Sequence, residues 1–248
     1  MDKFNPIVLI PARLASTRLP GKPLALIAGE PMIVHVWRRA MEAGIGPVAV
    51  ACAEREISAA VERAGGKAVL TKPGHPSGSD RIFEALKQLD PKAKHDVVVN
   101  VQGDLPLLDP AAIRAALSPL ADPECEIATL CAKLEPGEIE LASVVKVKAE
   151  FQPGQKIARA LSFSRKALSP AWHHIGLYAY RRRALERFVG LPPSDSEKRE
   201  NLEQMRALDA GMRIDVALVD AVPFGVDTPA DLERARALFA QRQAPKSR

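Results

Sequence analysis

The feature that most restricts the fold is an alternation of short apolar segments with helical patterns between residues 6 and 120. The apolar segments "PIVLI", "PVAVACA", "KAVLT" and "DVVVNVQ" are nearly continuous runs of Val, Ile, Leu and Ala. Such runs are typical of parallel strands whose two faces are both covered by helices. The helical patterns cover residues 32–44, 54–66, 79–90 and 110–120. This βαβαβαβα order predicts an α/β fold with a mostly parallel, doubly wound sheet.

The pattern changes at about residue 123, where four strand-like segments follow one another without helices between them. They cover residues 126–134, 143–148, 157–164 and 173–182. In "SVVKVK" the valines alternate with Lys146 and Lys148, so we expect an antiparallel strand with both lysines in solvent. Helices over 182–189, 197–211 and 230–243 and a strand over 213–219 complete the chain. We therefore predict a single domain, residues 1–248, with an antiparallel insertion at about 123–181.

A basic loop follows the first strand. Residues 10–29 contain Arg13, Arg18 and Lys22 and no acidic residue, and Gly21 and several prolines shape the loop. In an open parallel sheet, ligands bind beyond the carboxyl ends of the strands. A triphosphate would neutralise the three cations, although the Walker A pattern of ATPases is absent.

Two aspartates follow apolar segments in similar surroundings. Asp104 lies in "VVVNVQGDLP" and Asp227 in "AVPFGVDTP". Either one alone fits a helix cap or a turn. Together with the basic loop, they match the one or two carboxylates that typically hold Mg²⁺ beside substrate phosphates. The sequence therefore predicts a magnesium site formed by this pair.

Composition argues against several other classes of protein. The net charge is +5, but aromatic residues make up only 4% and no nucleic-acid-binding motif occurs, so we expect no nucleic-acid partner. No apolar run is long enough to cross a membrane, and the first residues do not form a secretory signal. The three cysteines are an odd number without a C-x-x-C pair, which fits a reducing compartment. We expect a cytoplasmic protein without membrane insertion.

Six motifs carry a resemblance to a known family. "IPARLASTRLPGKPL", "HPSGSDR", "NVQGD", "HHIGLYAYR", "LEQMRAL" and "GVDTPADLERAR" occur in this order. Over residues 6–238 the chain resembles the 3-deoxy-manno-octulosonate cytidylyltransferases. The resemblance implies a Rossmann-like nucleotidyltransferase fold, a homodimer formed through the antiparallel region, and Mg²⁺ as cofactor. It also implies a reaction of CTP with the sugar acid Kdo that gives CMP-Kdo and pyrophosphate, for lipopolysaccharide biosynthesis.

The same resemblance assigns roles to individual residues. Those expected to bind the nucleotide are Pro11, Ala12, Arg13, Arg18, Lys22, Ser77, Gly78 and Arg81. Those expected to bind the sugar acid are Gln102, Arg165, His174, Tyr178, Glu203 and Gln204. The expected metal ligands are Asp104 and Asp227. Asp104 is also expected to assist deprotonation of the attacking sugar hydroxyl, while Lys22 and Arg13 offset the charge of the leaving pyrophosphate.

The chain departs from the family pattern at three places, and these leave alternatives open. Leu105 stands where an acid is usual, Cys52 and Ala53 stand where Thr-Asp is expected, and the segment at 167–172 is short. The alternative substrate is another sugar acid, such as 8-amino-Kdo or sialic acid. The alternative from a different class is a non-catalytic binding module for nucleotides or nucleic acid, which gives Asp104 and Asp227 no role.

Overall fold

The computed structural model describes residues 4–243. The strands are β1 (Pro6–Ala12), β2 (Leu26–Ile27), β3 (Glu30–Pro31), β4 (Val48–Cys52), β5 (Lys67–Leu70), β6 (Val97–Asn100), β7 (Ile127–Ala132), β8 (Lys146–Ala149), β9 (Ile157–Ser164), β10 (Trp172–Arg181) and β11 (Ile214–Leu218). The helices are α1 (Met32–Glu42), α2 (Arg55–Arg63), α3 (Gly78–Leu89), α4 (Pro110–Ala115), α5 (Arg182–Gly190), α6 (Asp195–Glu200), α7 (Met205–Asp209) and α8 (Pro229–Gln243). Helices and strands together confirm the predicted α/β class.

The described residues divide into two compact units, each built from several stretches of chain. The first unit takes in residues 8–92, 101–110 and 223–243. The second unit takes in residues 4–7, 93–100 and 111–222. No unit boundary falls at 123 or 181. The single domain with one insertion stays a prediction.

The first unit contains a parallel sheet. β1 pairs in parallel with β4, and β4 pairs in parallel with β5, with Ile10 opposite Val50 and Ala51 opposite Val69. Ile10, Val50 and Ala51 are fully buried, which agrees with a sheet covered on both faces. Helices α1 and α2 contact β4, and α3 contacts β4 and β5. The predicted parallel order is therefore present in this unit.

The start and the end of the chain share a small core in the first unit. Helix α8 contacts β2. Buried apolar side chains from both regions form one cluster, whose members are Ile27, Met32, Val226, Leu232 and Ala235. Burial of large aliphatic side chains contributes roughly 1.5–3 kcal/mol each. The segment that carries Asp227 is thus fixed to the N-terminal part of the chain by apolar packing.

The second unit contains a mixed sheet with the strand order β6-β10-β7-β11-β9-β8. β10 runs antiparallel to both β6 and β7, whereas β11 runs parallel to β7. β9 is antiparallel to β11, and β8 is antiparallel to β9 and β10. The antiparallel pairing of β8, β9 and β10 agrees with the antiparallel strands expected at about 123–181. The order of the strands was not predicted, because β10 returns from later in the chain and inserts between β6 and β7.

Two local predictions are wrong. Lys146 is completely buried rather than solvated. Its ammonium group donates hydrogen bonds to the carbonyl oxygens of Leu141, at 2.6 Å, and Arg165, at 2.9 Å, which replace the lost contacts with water. The helix expected over 197–211 is two helices, α6 and α7. Asn201 ends α6 in the left-handed conformation, with φ 53° and ψ 49°, which asparagine tolerates better than most residues.

Candidate active site

A cleft of about 390 Å³ opens in the first unit, where the end of β1 meets three loops and the start of α3. Its lining residues are Pro11, Ala12, Arg13, Ala15, Ser16, Thr17, Arg18, Lys22, Pro23, His75, Ser77, Gly78, Arg81, Gln102, Gly103, Asp104 and Asp227. All eight residues predicted to bind the nucleotide and both predicted metal ligands are among them. The location agrees with the rule that ligands bind beyond the carboxyl ends of parallel strands.

Lys22 joins the two aspartates at the floor of this cleft. Its Nζ atom lies 2.9 Å from Asp104 Oδ2 and 3.0 Å from Asp227 Oδ1. The two carboxylate oxygens are therefore at most 5.9 Å apart, the sum of these distances. Arg18 Nη2 lies 3.1 Å from the same oxygen atom of Asp227. Residues that are 205 positions apart in sequence thus meet in one cluster of alternating charge.

The electrostatics of the cluster keep Lys22 protonated. Burial by itself would lower the pKa of the Lys22 ammonium, because the charged form loses hydration. The nearby carboxylates of Asp104 and Asp227 outweigh this effect, so the pKa is raised above its ordinary value. The ammonium group is the positive partner of both carboxylates.

The backbone brings the two aspartate segments together directly. The backbone N–H of Val226, the residue before Asp227, donates a hydrogen bond to Asp104 O at 2.9 Å. Gly103 allows the Asp104 loop to pass close to β1, since a Cβ atom at Gly103 would lie only 2.8 Å from Pro11 O. Contacts between main-chain atoms therefore hold the two aspartate segments close together, independently of the side chains.

The donor set of this cluster fits a magnesium ion. Mg²⁺ is typically bound by one or two carboxylates, with substrate phosphate oxygens and water completing the octahedron. Between residues 4 and 243 there is no group of three or more His, Cys, Asp or Glu side chains that could hold a metal. Asp104 and Asp227 offer two convergent carboxylates beside a cation-lined cleft, which is the arrangement expected for an ion that shares ligands with a phosphate.

The second nucleotide segment is organised by capping and by a buried guanidinium group. Ser77 caps α3, with its Oγ accepting a hydrogen bond from Asp80 N at 3.2 Å. Arg81 is only 2% exposed and donates hydrogen bonds to Thr71 Oγ1 at 2.7 Å, Lys72 O at 3.2 Å and Pro73 O at 3.3 Å. Arg81 lines the cleft, but its hydrogen bonds brace the loop at 71–73.

His75 lines the cleft and was missed by the sequence reasoning. Its Nε2 atom forms a hydrogen bond with the carboxylate of Glu84 on α3. Burial of Glu84 would raise the pKa of this carboxyl, but the bond to His75 and other contacts hold the pKa below its ordinary value. The "HPSGSDR" motif was the available signal, since His75 is its first residue.

Several residues predicted to bind the sugar acid lie in the second unit. His174 and Tyr178 lie on β10 with their ring centroids 5.7 Å apart. Burial raises the pKa of the Tyr178 phenol, and the Glu203 carboxylate raises it further. Gln204 is 7% exposed and occupies the N-cap position of α7. The structure therefore brings His174 and Tyr178 together, and Glu203 close enough to Tyr178 to act on it electrostatically.

Of the two remaining sugar-side residues, Arg165 also lies in the second unit and Gln102 lies in the first. Gln102 lines the cleft of the first unit. Arg165 donates a hydrogen bond to Ala142 O at 3.1 Å and is exposed at that contact. Thr129 was not predicted at all, yet its Oγ1 lies 3.1 Å from His174 Nε2. A threonine inside the apolar segment "EIATLCAKL" gives no sequence signal for such a contact.

The chain matches known proteins over nearly its whole length. A family model described as cytidylyltransferase matches residues 7–214. A 3-deoxy-manno-octulosonate cytidylyltransferase from Methylobacterium radiotolerans is 63% identical over 245 residues, which cover 96% of this chain and 98% of that protein. The corresponding protein from Paramagnetospirillum magneticum is 59% identical over 244 residues, with coverage of 96% and 99%.

A solved structure gives the same result. The structure of CMP:2-keto-3-deoxy-manno-octonic acid synthetase complexed with CTP superimposes with a TM-score of 0.88 at 40% sequence identity. The superposition covers 96% of this chain and 99% of the other. In the described part of this chain, no helix has the length and apolar character needed to span a membrane.

Proposed function

The chain belongs to the cytidylyltransferase family, as one of its 3-deoxy-manno-octulosonate members, and we propose that its cleft carries out their reaction. The enzyme transfers CMP from CTP to Kdo, releases pyrophosphate and supplies CMP-Kdo for lipopolysaccharide biosynthesis. The observation that carries this proposal is the cluster of Lys22, Asp104 and Asp227 in a cleft lined with cations. We regard the parallel sheet of the first unit as the Rossmann-like, nucleotide-binding part of the fold.

The cations of the basic loop bind the triphosphate in this proposal. Arg13, Arg18 and Lys22 line the cleft together. A cation within about 4 Å of a phosphate gains roughly 4 kcal/mol of Coulomb energy at an effective dielectric constant of 20, before desolvation is subtracted. Transfer at phosphorus depends mainly on positioning and charge neutralisation. Lys22 and Arg13 therefore act by offsetting the charge that develops on the departing pyrophosphate.

Asp104 and Asp227 are the residues that would hold Mg²⁺. When bound, the ion supplies Lewis-acid neutralisation of phosphate oxygens. When the carboxylates hold no ion, the Lys22 ammonium is the positive partner of both. The Lys22 ammonium is then available to pair with phosphate once the carboxylates have another cation.

The sugar acid is bound by Gln102, His174, Tyr178, Glu203 and Gln204 in this proposal, with Arg165 as the weaker candidate. The support for these roles is the family resemblance, together with the clustering of His174 and Tyr178 on β10. Asp104 assists removal of the proton from the attacking hydroxyl group, as a carboxylate within reach of the reacting oxygen can do.

A pyrophosphate-release assay tests the reaction. The protein is mixed with CTP, Mg²⁺ and, separately, Kdo, 8-amino-Kdo and sialic acid, and a chelator replaces the metal in a control. We expect release with Kdo that depends on the metal. Pyrophosphate release with only 8-amino-Kdo or sialic acid would identify that acid as the substrate instead of Kdo. Release in the presence of the chelator would contradict the role of Mg²⁺. No release with any of the three acids would favour the alternative of a non-catalytic binding module.

We also propose that the enzyme is a homodimer and works in the cytoplasm, where CTP is supplied. Support for the dimer comes from large apolar side chains that remain exposed in the second unit, among them Ile139, Leu141, Ile157 and Leu161. Sedimentation velocity of the unmodified protein should show a dimer, and Leu161→Lys should shift it to monomer. Leu70→Lys, the same change at an exposed leucine of the first unit, is the control and should leave the dimer intact. A monomeric unmodified protein would contradict the proposal.

A further inference from the structure

β10 contains a bulge beside the residues predicted to bind the sugar acid. Along its pairing with β7, Ile175 lies opposite Leu130, but the next pair is Tyr178 with Thr129. The register shift places Gly176 and Leu177 in a bulge between these two pairs. Bulges disrupt the local hydrogen-bond ladder and re-aim side chains, and they are common next to active sites.

Thr129 satisfies the carbonyl groups that the bulge exposes. Its side chain is completely buried, and its Oγ1 atom lies 3.0 Å from Ile175 O and 2.9 Å from Leu177 O. Carbonyl oxygens only accept hydrogen bonds, and a threonine hydroxyl has one hydrogen to donate. The Thr129 hydrogen is therefore directed at the bulge carbonyls.

This arrangement determines which nitrogen of His174 carries a hydrogen. His174 Nε2 lies 3.1 Å from the same Thr129 Oγ1. Because the Thr129 hydrogen is already used, Oγ1 can only accept a hydrogen bond from His174, so Nε2 must be protonated. Burial, with a smaller contribution from His173, lowers the pKa of His174 to about 3. The ring is thus neutral near pH 7, and its Nδ1 atom carries a free lone pair.

The lone pair of Nδ1 is left available by the surroundings of the ring. No residue between 4 and 243 donates a hydrogen bond to it, and His174 Nε2 has Thr129 as its partner. The ring is held by Phe163, whose centroid is 4.8 Å away, and by Tyr178, at 5.7 Å. A fixed, unpaired acceptor nitrogen suits a hydroxyl donor and disfavours a carboxylate.

We propose that Thr129 is a positioning residue that holds His174 as the Nε2–H tautomer, so that Nδ1 accepts a hydrogen bond from a hydroxyl group of the sugar acid. The inference rests on the proposed function, since it takes His174 to contact that substrate. A purely structural Thr129 would cap the bulge and leave the tautomer of His174 unaffected by its loss.

The tautomer is measured directly by long-range ¹H–¹⁵N NMR of histidine-labelled, ligand-free protein, with the His174 signals assigned by their loss in His174→Gln. We expect a protonated Nε2 and an unprotonated Nδ1 in the unmodified protein and in Thr129→Ser. Thr129→Val, which keeps the side-chain shape without the hydroxyl, should shift His174 partly or wholly to Nδ1–H. An Nδ1–H signal in the unmodified protein would overturn the inference even if Thr129→Val does not fold.

Kinetics test the contact with substrate. Thr129→Val should raise KM for Kdo by about tenfold, the effect of one lost hydrogen bond, with KM for CTP changed by less than about twofold. Thr129→Ser should restore KM for Kdo to within about threefold. An unchanged KM for Kdo in an active Thr129→Val enzyme would overturn the inference. No pyrophosphate release by the unmodified protein would instead contradict the proposed function, and the tautomer result would still stand by itself.

Discussion

Asp227 shares one carboxylate oxygen between two cations, Lys22 Nζ at 3.0 Å and Arg18 Nη2 at 3.1 Å. Asp227→Asn keeps the shape of the side chain but removes the negative charge that a metal ligand needs. We expect pyrophosphate release to fall by about 100-fold or more at ordinary Mg²⁺ concentration, with the fold retained. The measurement is initial rate against Mg²⁺ concentration, combined with circular dichroism.

Asp220→Asn is the matched control, because Asp220 is exposed and outside the cleft. Its rate should stay within about twofold of the unmodified enzyme. Full turnover in Asp227→Asn would show that this carboxylate does not hold the ion.

Lys22 and a metal ion would use the same two carboxylate oxygens, which lie within 3.0 Å of its ammonium. Lys22→Met leaves Asp104 and Asp227 close together without a positive partner. We expect the metal-free protein to lose roughly 1–3 kcal/mol of stability and Mg²⁺ to restore part of it. Thermal unfolding in a chelator and in excess Mg²⁺ measures both effects.

The control for this change is Lys133→Met, which removes an exposed ammonium group elsewhere. The thermal stability of Lys133→Met should change with Mg²⁺ by the same amount as that of the unmodified protein. An equal Mg²⁺ response in Lys22→Met and Lys133→Met would mean that Lys22 and the metal do not share ligands.

Single residues could be predicted from sequence where their charge was unusual for their position. Lys22 and Asp104 stood out because a buried strand rarely ends in unpaired charges, and the structure places both in one cluster. Thr129 could not be found, since threonine is an ordinary strand residue. Its partner His174 lies 45 positions away, so only the folded chain shows the contact. The assigned roles of the individual residues stay predictions until they are tested by experiment.

At the scale of elements, the close approach of the Asp104 loop to β1 depends on Gly103. A Cβ atom there would lie 2.8 Å from the backbone oxygen of Pro11, closer than packed atoms allow. Gly103→Ala should therefore move the strand end or the loop, lower stability by roughly 1–3 kcal/mol and raise KM for CTP. Urea unfolding and steady-state kinetics provide the two measurements.

Gly190→Ala, at the end of α5, provides the comparison, since a Cβ atom at Gly190 meets nothing within 4 Å. It should be neutral or slightly stabilising. Equal behaviour of the two variants would mean that the loop tolerates a methyl group and that Gly103 does not set the spacing.

Element types followed from local periodicity, but pairing did not. The strand expected over 157–164 is β9 with the same bounds, and the other predicted strands differ by at most a few residues. The position of β10 between β6 and β7 is a non-local pairing that no local pattern encodes. Lys146 was misplaced for a similar reason, because its buried ammonium is compensated by two carbonyl groups from other segments.

At the scale of the whole molecule, stability should fall in mild acid. The pKa of His174 is lowered to about 3 in the folded state by burial and by His173, against roughly 6.5 in an unfolded chain. Between these values the unfolded chain binds a proton that the folded chain does not. The contribution of His174 to the free energy of unfolding is thus fully present above about pH 6.5. The free energy of unfolding falls with decreasing pH, by about 2 kcal/mol at pH 5.

Urea unfolding at about pH 7 and pH 5 measures this loss. His174→Gln should remove most of it, whereas His95→Gln, at a surface histidine, should not. Below about pH 4.5, carboxyls with a lowered pKa add a further loss, since their protonation costs the folded state its hydrogen bonds; these are Glu30, Glu84, Glu138, Asp209 and Asp231. The same pH dependence in His174→Gln and the unmodified protein would contradict the assignment.

The apolar cluster that joins Ile27 and Met32 to Val226, Leu232 and Ala235 has a consequence for synthesis. On the ribosome, the first two residues emerge long before the last three. The nascent chain therefore exposes the apolar side chains of Ile27 and Met32 without these partners while most of the protein is still being translated. Asp227 arrives with the same late segment, so the cluster of Lys22, Asp104 and Asp227 is complete only when that segment has been translated.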